Sequence, residues 1–480
     1  MKKYANKVLL FLEENNIDYA DIRFTEKNVE SIEINNGVVS SLEQDKDMGY
    51  GIRVLYKGSW GFASSDTFDD NKLIEKAKDA LEVAKASYLL QKKPVKLAKE
   101  DVYSDFWQSP VTIDPFSVPI SEKLDLLLKI DKILREKEEI KSSSSSMYFE
   151  NRHSWFYSSE GSKIEQNRLI SGAGYSVTAV GNNDVQVRSY PASFGGQYKQ
   201  LGYELINGLE LIKNAAKTRD EAIALLSADN CPDGMFDLIL HPNQLLLQIH
   251  ESVGHPTELD RVIGQEANFA GTSFVTTEKY KNFQYGSDIV NLVADTTLPT
   301  GIATMGYDDD GVKAQRWYIV KDGVFNGYMT NRETASIVSE ERSKGANRAS
   351  SWYHTPITRI ANLSLMPGDS SFKEMVKSIE YGLYMETNKS WSIDQQRLNF
   401  QFGCEIAYEI KNGKLTGKIF KNPTYQGITP EFWNSCDMIA NYKEWDIWGV
   451  LQCGKGQPMQ VSEMSHGSSF TKFRKVQIGV

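Results

Sequence analysis

Two of the chain's six histidines lie five residues apart in the apolar stretch 245–256, LLLQIHESVGHP, and a glutamate follows the first of them. Imidazoles are ligands for a divalent metal, and a carboxylate next to a ligand is placed to move protons during hydrolysis. His250, Glu251 and His255 form an HExxxH pattern, one residue longer than the HExxH of zinc peptidases. That extra residue matters, because positions i and i+5 of an ideal helix diverge by roughly 140°. A straight helix cannot aim both imidazoles at one ion. Gly254 weakens the helix, and Pro256 is expected to push His255 out of the α region, so that the last turn widens or unwinds. An amphipathic helix with two surface histidines and a glycine and proline at its end is the alternative reading of the same letters.

Catalytic zinc usually takes three protein ligands and leaves a fourth position open. His250 and His255 supply two. The third has to be Cys453, set in the glycine-rich GVLQCGKGQP where backbone can approach closely, or else a carboxylate such as Glu258 or Asp260. Glu251 would stay off the metal, taking a proton from the water that zinc activates and later delivering one to the leaving amine. The other cysteines, Cys231, Cys404 and Cys436, form no CxxC pair and read as buried thiols.

The elements that must position these residues can be read from period and turn chemistry. A strand, MFDLIL, leads through His241-Pro242-Asn243 into the HExxxH helix, which makes His241 a helix-start residue. Before it come a helix over 2–13, strands turning at Asn36-Gly37 and Lys57-Gly58, and a helix over 69–89 led by two aspartates. Four of the fourteen prolines lie between 94 and 119, the mark of an extended connection. A helix over 121–139 follows, then alternating strands that begin with a serine run expected at a sheet edge, then a helix over 203–226. The loop DNCPDG marks the main boundary. Beyond it hairpins are expected at Asp310-Gly311, Asp322-Gly323 and Asn412-Gly413, with a helix near 371–381. The expected class is α+β, an N-terminal sheet-and-helix domain over 1–228 followed by a strand-rich C-terminal domain over 229–480 that carries the HExxxH helix.

At 480 residues, 40% hydrophobic and 24% charged, the chain has the composition of a globular protein with two or three cores. A formal charge of −9 argues against nucleic acid or an anionic membrane as the main partner. No signal peptide or run of about eighteen apolar residues is evident, so a cytoplasmic location is expected. Of the remaining histidines, His153 reads as a strand residue among aromatics, while His354 and His466 lie where they could border a cleft. Arg348 and Arg359 could grip a peptide carboxylate, although a structural role is the plainer reading, and SHGSS could pair with an extended peptide.

The run HESVGHPTELDRVIGQEANFAGTSF, the later YDDDGVKAQRWYIVKDGVFNGYMTNRETA, the segment TPITRIANLSLMPG and the CGKGQP near the C-terminus together resemble the TldD half of the TldD/PmbA (TldE) family of zinc peptidases. The match spans 230–480. It implies a zinc held by His250, His255 and Cys453, with Glu251 as catalytic carboxylate. It also implies cleavage of short or unstructured peptides in a cavity between two subunits, in a homodimer or with a TldE/PmbA-like partner. The partner type lacks HExxxH, so the pattern marks a catalytic subunit. A departure is Pro256 where a glycine can stand, which leaves Glu258 and Asp260 to be placed; orienting a histidine is the role expected of them. A binding or assembly subunit with a structural metal is the competing reading, and Glu251 argues against it.

Overall fold

The turn pairs Asn36-Gly37 (φ 53° and 80°) and Lys57-Gly58 (φ 48° and 76°) both take left-handed backbone, the geometry of two-residue hairpin loops. They fold Tyr19–Asn35, Val38–Tyr56 and Ser59–Ser65 into an antiparallel meander. This is one side of the first large sheet in the computed structural model of the chain, which describes residues 1–479 other than 269. The sheet continues from Tyr19–Asn35 to Ile140–Ser158, Lys163–Gly181 and the parallel Ser104–Gln108. Helices Lys2–Glu13 and Asp70–Tyr88 bury Ala5, Val8, Leu12, Leu73 and Ala77 against Ile22, Phe24 and Ile52. Asp69 caps the second of them, accepting from the amides of Asn71 and Lys72.

The serine run lies in an interior strand rather than at an edge, with Ser144 paired to Asn35 on one side and Ser176 on the other. Its small side chains explain the position. Ser143 and Ser145 are buried beneath a helical layer, and the Ser143 hydroxyl donates to Asp131 of helix Ile120–Leu134 at 2.6 Å. The helix expected over 203–226 is two, Glu204–Gly208 and Leu211–Leu225, because Glu210 turns left-handed at φ 51°.

In the C-terminal half, Gly234–Leu240 pairs with Tyr381–Ile393 on one side and Thr471–Ile478 on the other. The ladder runs on through Thr424–Ile428 to Asn399–Lys411, which pairs back onto Tyr381–Ile393 and so closes a ring of strands. Leu238, Leu240, Leu383, Met385, Phe402, Tyr425 and Phe473 belong to the large core that these strands share with the helix after Leu240. Asp322-Gly323 and Asn412-Gly413 make the expected hairpins. Asp310-Gly311 makes only a tight turn, closed by the single bridge between Tyr307 and Lys313. The class is α+β, with a strand-rich C-terminal half. Among the described residues, no helix is long and apolar enough to cross a membrane.

Candidate metal centre

His241 starts the helix Pro242–Ile249, its ring nitrogen accepting from the Asn243 amide at 3.0 Å with proline in the first helical position. All eight helix residues are buried, so its polar side chains need internal partners. Tyr425 serves the two glutamines, accepting from Gln244 at 3.0 Å and donating to Gln248 at 3.1 Å, while Asn243 donates to the Pro191 carbonyl and the Thr387 hydroxyl. At His250–Gly254 the helix widens into a π turn, in which the His255 amide donates to the His250 carbonyl. An i→i+5 bond brings residue i+5 over residue i. The two imidazoles therefore meet, ring centres 4.7 Å apart.

Pro256 and the groups packed around it account for this widening. Residue 256 is proline, so the Ser252 carbonyl has no amide four residues on to accept from. The Tyr285 hydroxyl takes that carbonyl instead, and the Trp433 indole donates to the Ser252 hydroxyl at 3.0 Å. Gly254 lies against Ile360, where a Cβ would fall 2.8 Å from Cδ1. His255 stays in the right-handed helical region at φ −60°, ψ −41°, contrary to the expectation that Pro256 expels it. Widening the turn, rather than leaving the helix, accommodates the proline.

Cys453, 198 residues beyond His255, reaches the histidines from the strand Asp446–Lys455. One atom each of His250, His255 and Cys453 lie within 4.8 Å of one another, and Cys453 Sγ is 3.4 Å from His255 Nε2. Sulfur and nitrogen ligands at about 2.3 and 2.0–2.1 Å around a tetrahedral ion stand about 3.5 Å apart, so the spacing fits a metal. Hydrogen bonds set the tautomers to match. His466 Nδ1 donates to the Leu363 carbonyl at 3.0 Å, which makes its Nε2 an acceptor for His250 Nδ1 at 2.9 Å. His255 Nδ1 donates to Glu258 at 2.9 Å. His250 and His255 thus each keep a free Nε2 lone pair for an ion.

The charges favour the same state. Burial disfavours the charged form of His250 and His255, lowering both pKa values, and drives His466 well below the ordinary histidine range with help from His250. Burial alone would raise the Cys453 thiol, yet His255 and the Arg359 guanidinium outweigh it and hold the thiol below its ordinary value. Burial opposes ionisation of Glu258 too, and Lys455, His255 and Arg261 overcome it, so that this carboxyl lies well below the usual range. By contrast, burial raises the thiols of Cys231, Cys404 and Cys436.

Glu251 sits in the π turn with one carboxylate oxygen held by Arg397 at 2.6 Å. Asp260 does not reach the three-residue cluster and pairs with Lys455, both contacts at 2.8 Å. His354 lies apart from the cluster, bonded to Ser350, and lines the cleft beside Gly456, Pro458 and Gln460. His153 pairs with Glu165 at 2.8 Å and stacks on Trp155. Arg348 and Arg359 are structural, each donating to two main-chain carbonyls. The SHGSS segment is buried, its first four residues in the strand Gln460–Ser468 and Ser469 just past it, unavailable to an extended peptide.

Three models of PmbA/TldA metallopeptidase match the chain, domain 1 over 20–86, the central domain over 113–226 and the C-terminal domain over 233–477. The chain belongs to the PmbA/TldA metallopeptidase family. A metalloprotease of Methanocaldococcus jannaschii is 29% identical over 93% of this chain and 94% of its own length. A zinc metalloprotease TldD homolog of Saccharolobus solfataricus is 24% identical over 100% and 99%. Among solved structures, TldE from Thermococcus kodakarensis superposes with a TM-score of 0.74 at 16% identity, covering 99% of each chain. A putative modulator of a DNA gyrase from Thermotoga maritima does so with 0.79 at 16%, covering 100% of each. These two likenesses speak for the fold.

The PmbA/TldA fold also recruits residues that sequence reasoning missed. Lys455 is fully buried and reaches Asp260, the Thr358 carbonyl at 2.6 Å and Glu258 at 3.3 Å. Its signal was present in Cys453-Gly454-Lys455, since alternate residues of a strand share a face. Arg397 and Tyr285 carried no such signal, being distant in sequence from the residues they serve.

Proposed function

We propose that this chain is a catalytic subunit of its family, a zinc-dependent peptidase acting on short or unfolded peptides. The observation that carries the reading is the convergence of two histidines and a low-pKa cysteine beside Glu251 in a widened turn. Residues 229–480 form the catalytic half in this reading, with 1–228 as the N-terminal domain. His250, His255 and Cys453 hold the metal, and their donor set of nitrogen and thiolate suits zinc. Zinc, when bound, supplies Lewis-acid polarisation of the scissile carbonyl and of the attacking water. Arg397 holds one oxygen of Glu251 and leaves the other to accept the proton of that water. The same oxygen then returns a proton to the leaving amine. Glu258 and His466 keep the two ligand imidazoles in their metal-binding tautomers.

Burial bears on the substrate. His250, Glu251, His255 and Cys453 are 3%, 7%, 4% and 4% exposed, so a folded domain could not present a peptide bond to them. A cleft of about 460 Å³ runs beside Gly456, Pro458 and Gln460, next along the chain from Cys453, and suits an extended strand. A cavity enclosed between two subunits, in a homodimer or with a metal-free TldE-like relative, completes the exclusion of folded proteins.

The test is cleavage of one polypeptide, presented folded and unfolded, by zinc-loaded, chelator-stripped and zinc-restored protein. The expected result is cleavage of the unfolded form alone, lost with the metal and regained with it. No cleavage under any condition would favour an assembly subunit with a structural metal, and cleavage indifferent to chelation would contradict the role of zinc.

A further inference from the structure

A cavity of about 60 Å³ lies between the N-terminal sheet and the C-terminal half, and its walls carry more positive than negative charge. Four guanidiniums face it, from Arg23, Arg152, Arg168 and Arg348, against the carboxylates of Asp309 and Glu463. Glu150, behind Arg152, is shared with Lys27 at 2.9 Å each, so that pair adds no net charge. The adjoining Arg53 is taken by Asp21 and Asp310 at 2.6 and 2.8 Å, which leaves one carboxylate over and at most halves the surplus of two.

The sheet register sharpens the imbalance. Lys27, Arg152 and Arg168 are direct partners on three neighbouring strands, a rung of three cations. Like charges directly opposite destabilise a sheet unless something compensates them. Glu463 alone meets Arg168 closely, with Arg152 at 3.8 Å and Arg348 at 4.0 Å. The Nε atoms of Arg23 and Arg152 are buried without a partner, and Arg23 as a whole is 4% exposed. Burial, then the guanidiniums of Arg168, Arg359 and Arg152, pull Arg348 down to about 9 against the opposing pull of Glu463. Unpaired buried donors and uncompensated buried cations are both costly.

We propose that this cavity binds a small oxyanion of the phosphate class, held by Arg23, Arg152 and Arg168 at the joint between the two halves of the chain, with Arg348, whose terminal nitrogens already donate to the Glu463 and Ile360 carbonyls, contributing charge from the wall. A phosphate group carrying one to two negative charges matches a surplus of one to two, and planar guanidiniums suit its oxygens. The cavity holds a group the size of a few waters. The site is distinct from the metal centre: Glu463 and His466 are three apart on one strand and so face opposite ways. The inference is independent of the peptidase reading. Inorganic phosphate and the phosphate group of a monoester are two sources of the same chemistry.

The melting temperature of the zinc-loaded full chain is measured against inorganic phosphate and, separately, glycerol phosphate, with ionic strength held constant by chloride. A bound anion raises it progressively with concentration. A response to phosphate alone marks the free ion as ligand, and a response to both extends the site to esters. Ser154→Glu, which puts a carboxylate into the cavity from its own lining, should raise the melting temperature without phosphate and abolish the phosphate response. Arg152→Gln should weaken phosphate binding by at least about tenfold in calorimetry. Equal melting in phosphate and chloride overturns the proposal, as does a phosphate response that survives Ser154→Glu, which would place the anion elsewhere, on the metal for instance. If Ser154→Glu does not fold, undiminished phosphate affinity in Arg152→Gln overturns it equally.

Discussion

Cys453 differs from the other three cysteines in one physical respect, a thiol held low by His255 and Arg359 where theirs are raised by burial. Cys453→Ala should therefore lose zinc and peptidase activity together. Cys231→Ala, Cys404→Ala and Cys436→Ala should keep both, as read by metal analysis on the same preparations. Full zinc occupancy in Cys453→Ala would mean that another residue is the third ligand. His466 touches no substrate in this account and acts through His250. Its replacement by alanine leaves the His250 Nδ1 proton buried and unpaired, and zinc affinity should fall by about 10- to 100-fold in competition with a chromophoric chelator. An unchanged affinity would make His466 a packing residue. At this scale His250, Glu251, His255 and Cys453 could be named from the sequence because their types and spacing are local or set by glycine. Arg397 and Tyr285 could not, because their roles exist only after the chain has brought distant segments together.

The π turn is the element on which the site depends. Pro256→Ala would restore an amide able to donate to the Ser252 carbonyl and so favour an ordinary α turn, in which His255 swings away from His250. Zinc affinity should drop, and Tyr285→Phe in the same background should lower it further by freeing that carbonyl altogether. Equal affinity in wild type and both variants would show that the widened turn is not what aligns the ligands. The sequence announced a break at this point but not its form, since a glycine and a proline are compatible with unwinding as well as widening. Elsewhere the period of apolar residues located helix Lys2–Glu13 to the residue and Asp70–Tyr88 nearly so. Local signals failed where tertiary packing decided, as in the serine strand, whose interior place follows from the helical layer it admits.

For the molecule as a whole, Arg188 clamps the two halves together. From the strand Asp184–Tyr190 it reaches Glu221 at 2.9 Å and, across the joint, Glu386 at 2.6 Å and Glu405 at 3.0 Å. Burial opposes ionisation of Glu386, but Arg188 and His241 hold its carboxyl down to about 2. A depressed carboxyl contributes stability that is full above its ordinary value near 4.5 and is lost as pH falls toward 2, on the order of 3 kcal/mol. Glu386→Gln should flatten that part of the pH dependence of the urea midpoint, and an identical slope in the variant would contradict the clamp. Assembly belongs to the same scale, and a dimer is expected in light scattering; a strict monomer that still spared folded proteins would remove the need for an enclosed cavity.

In the proposed reaction Glu251 moves protons at a metal it does not bind. The most direct measurement is zinc content and peptide turnover of Glu251→Gln, both taken on one preparation beside wild type. The variant should retain full zinc and lose roughly two to four orders of magnitude in turnover. Turnover equal to wild type, or loss of zinc along with activity, would contradict it.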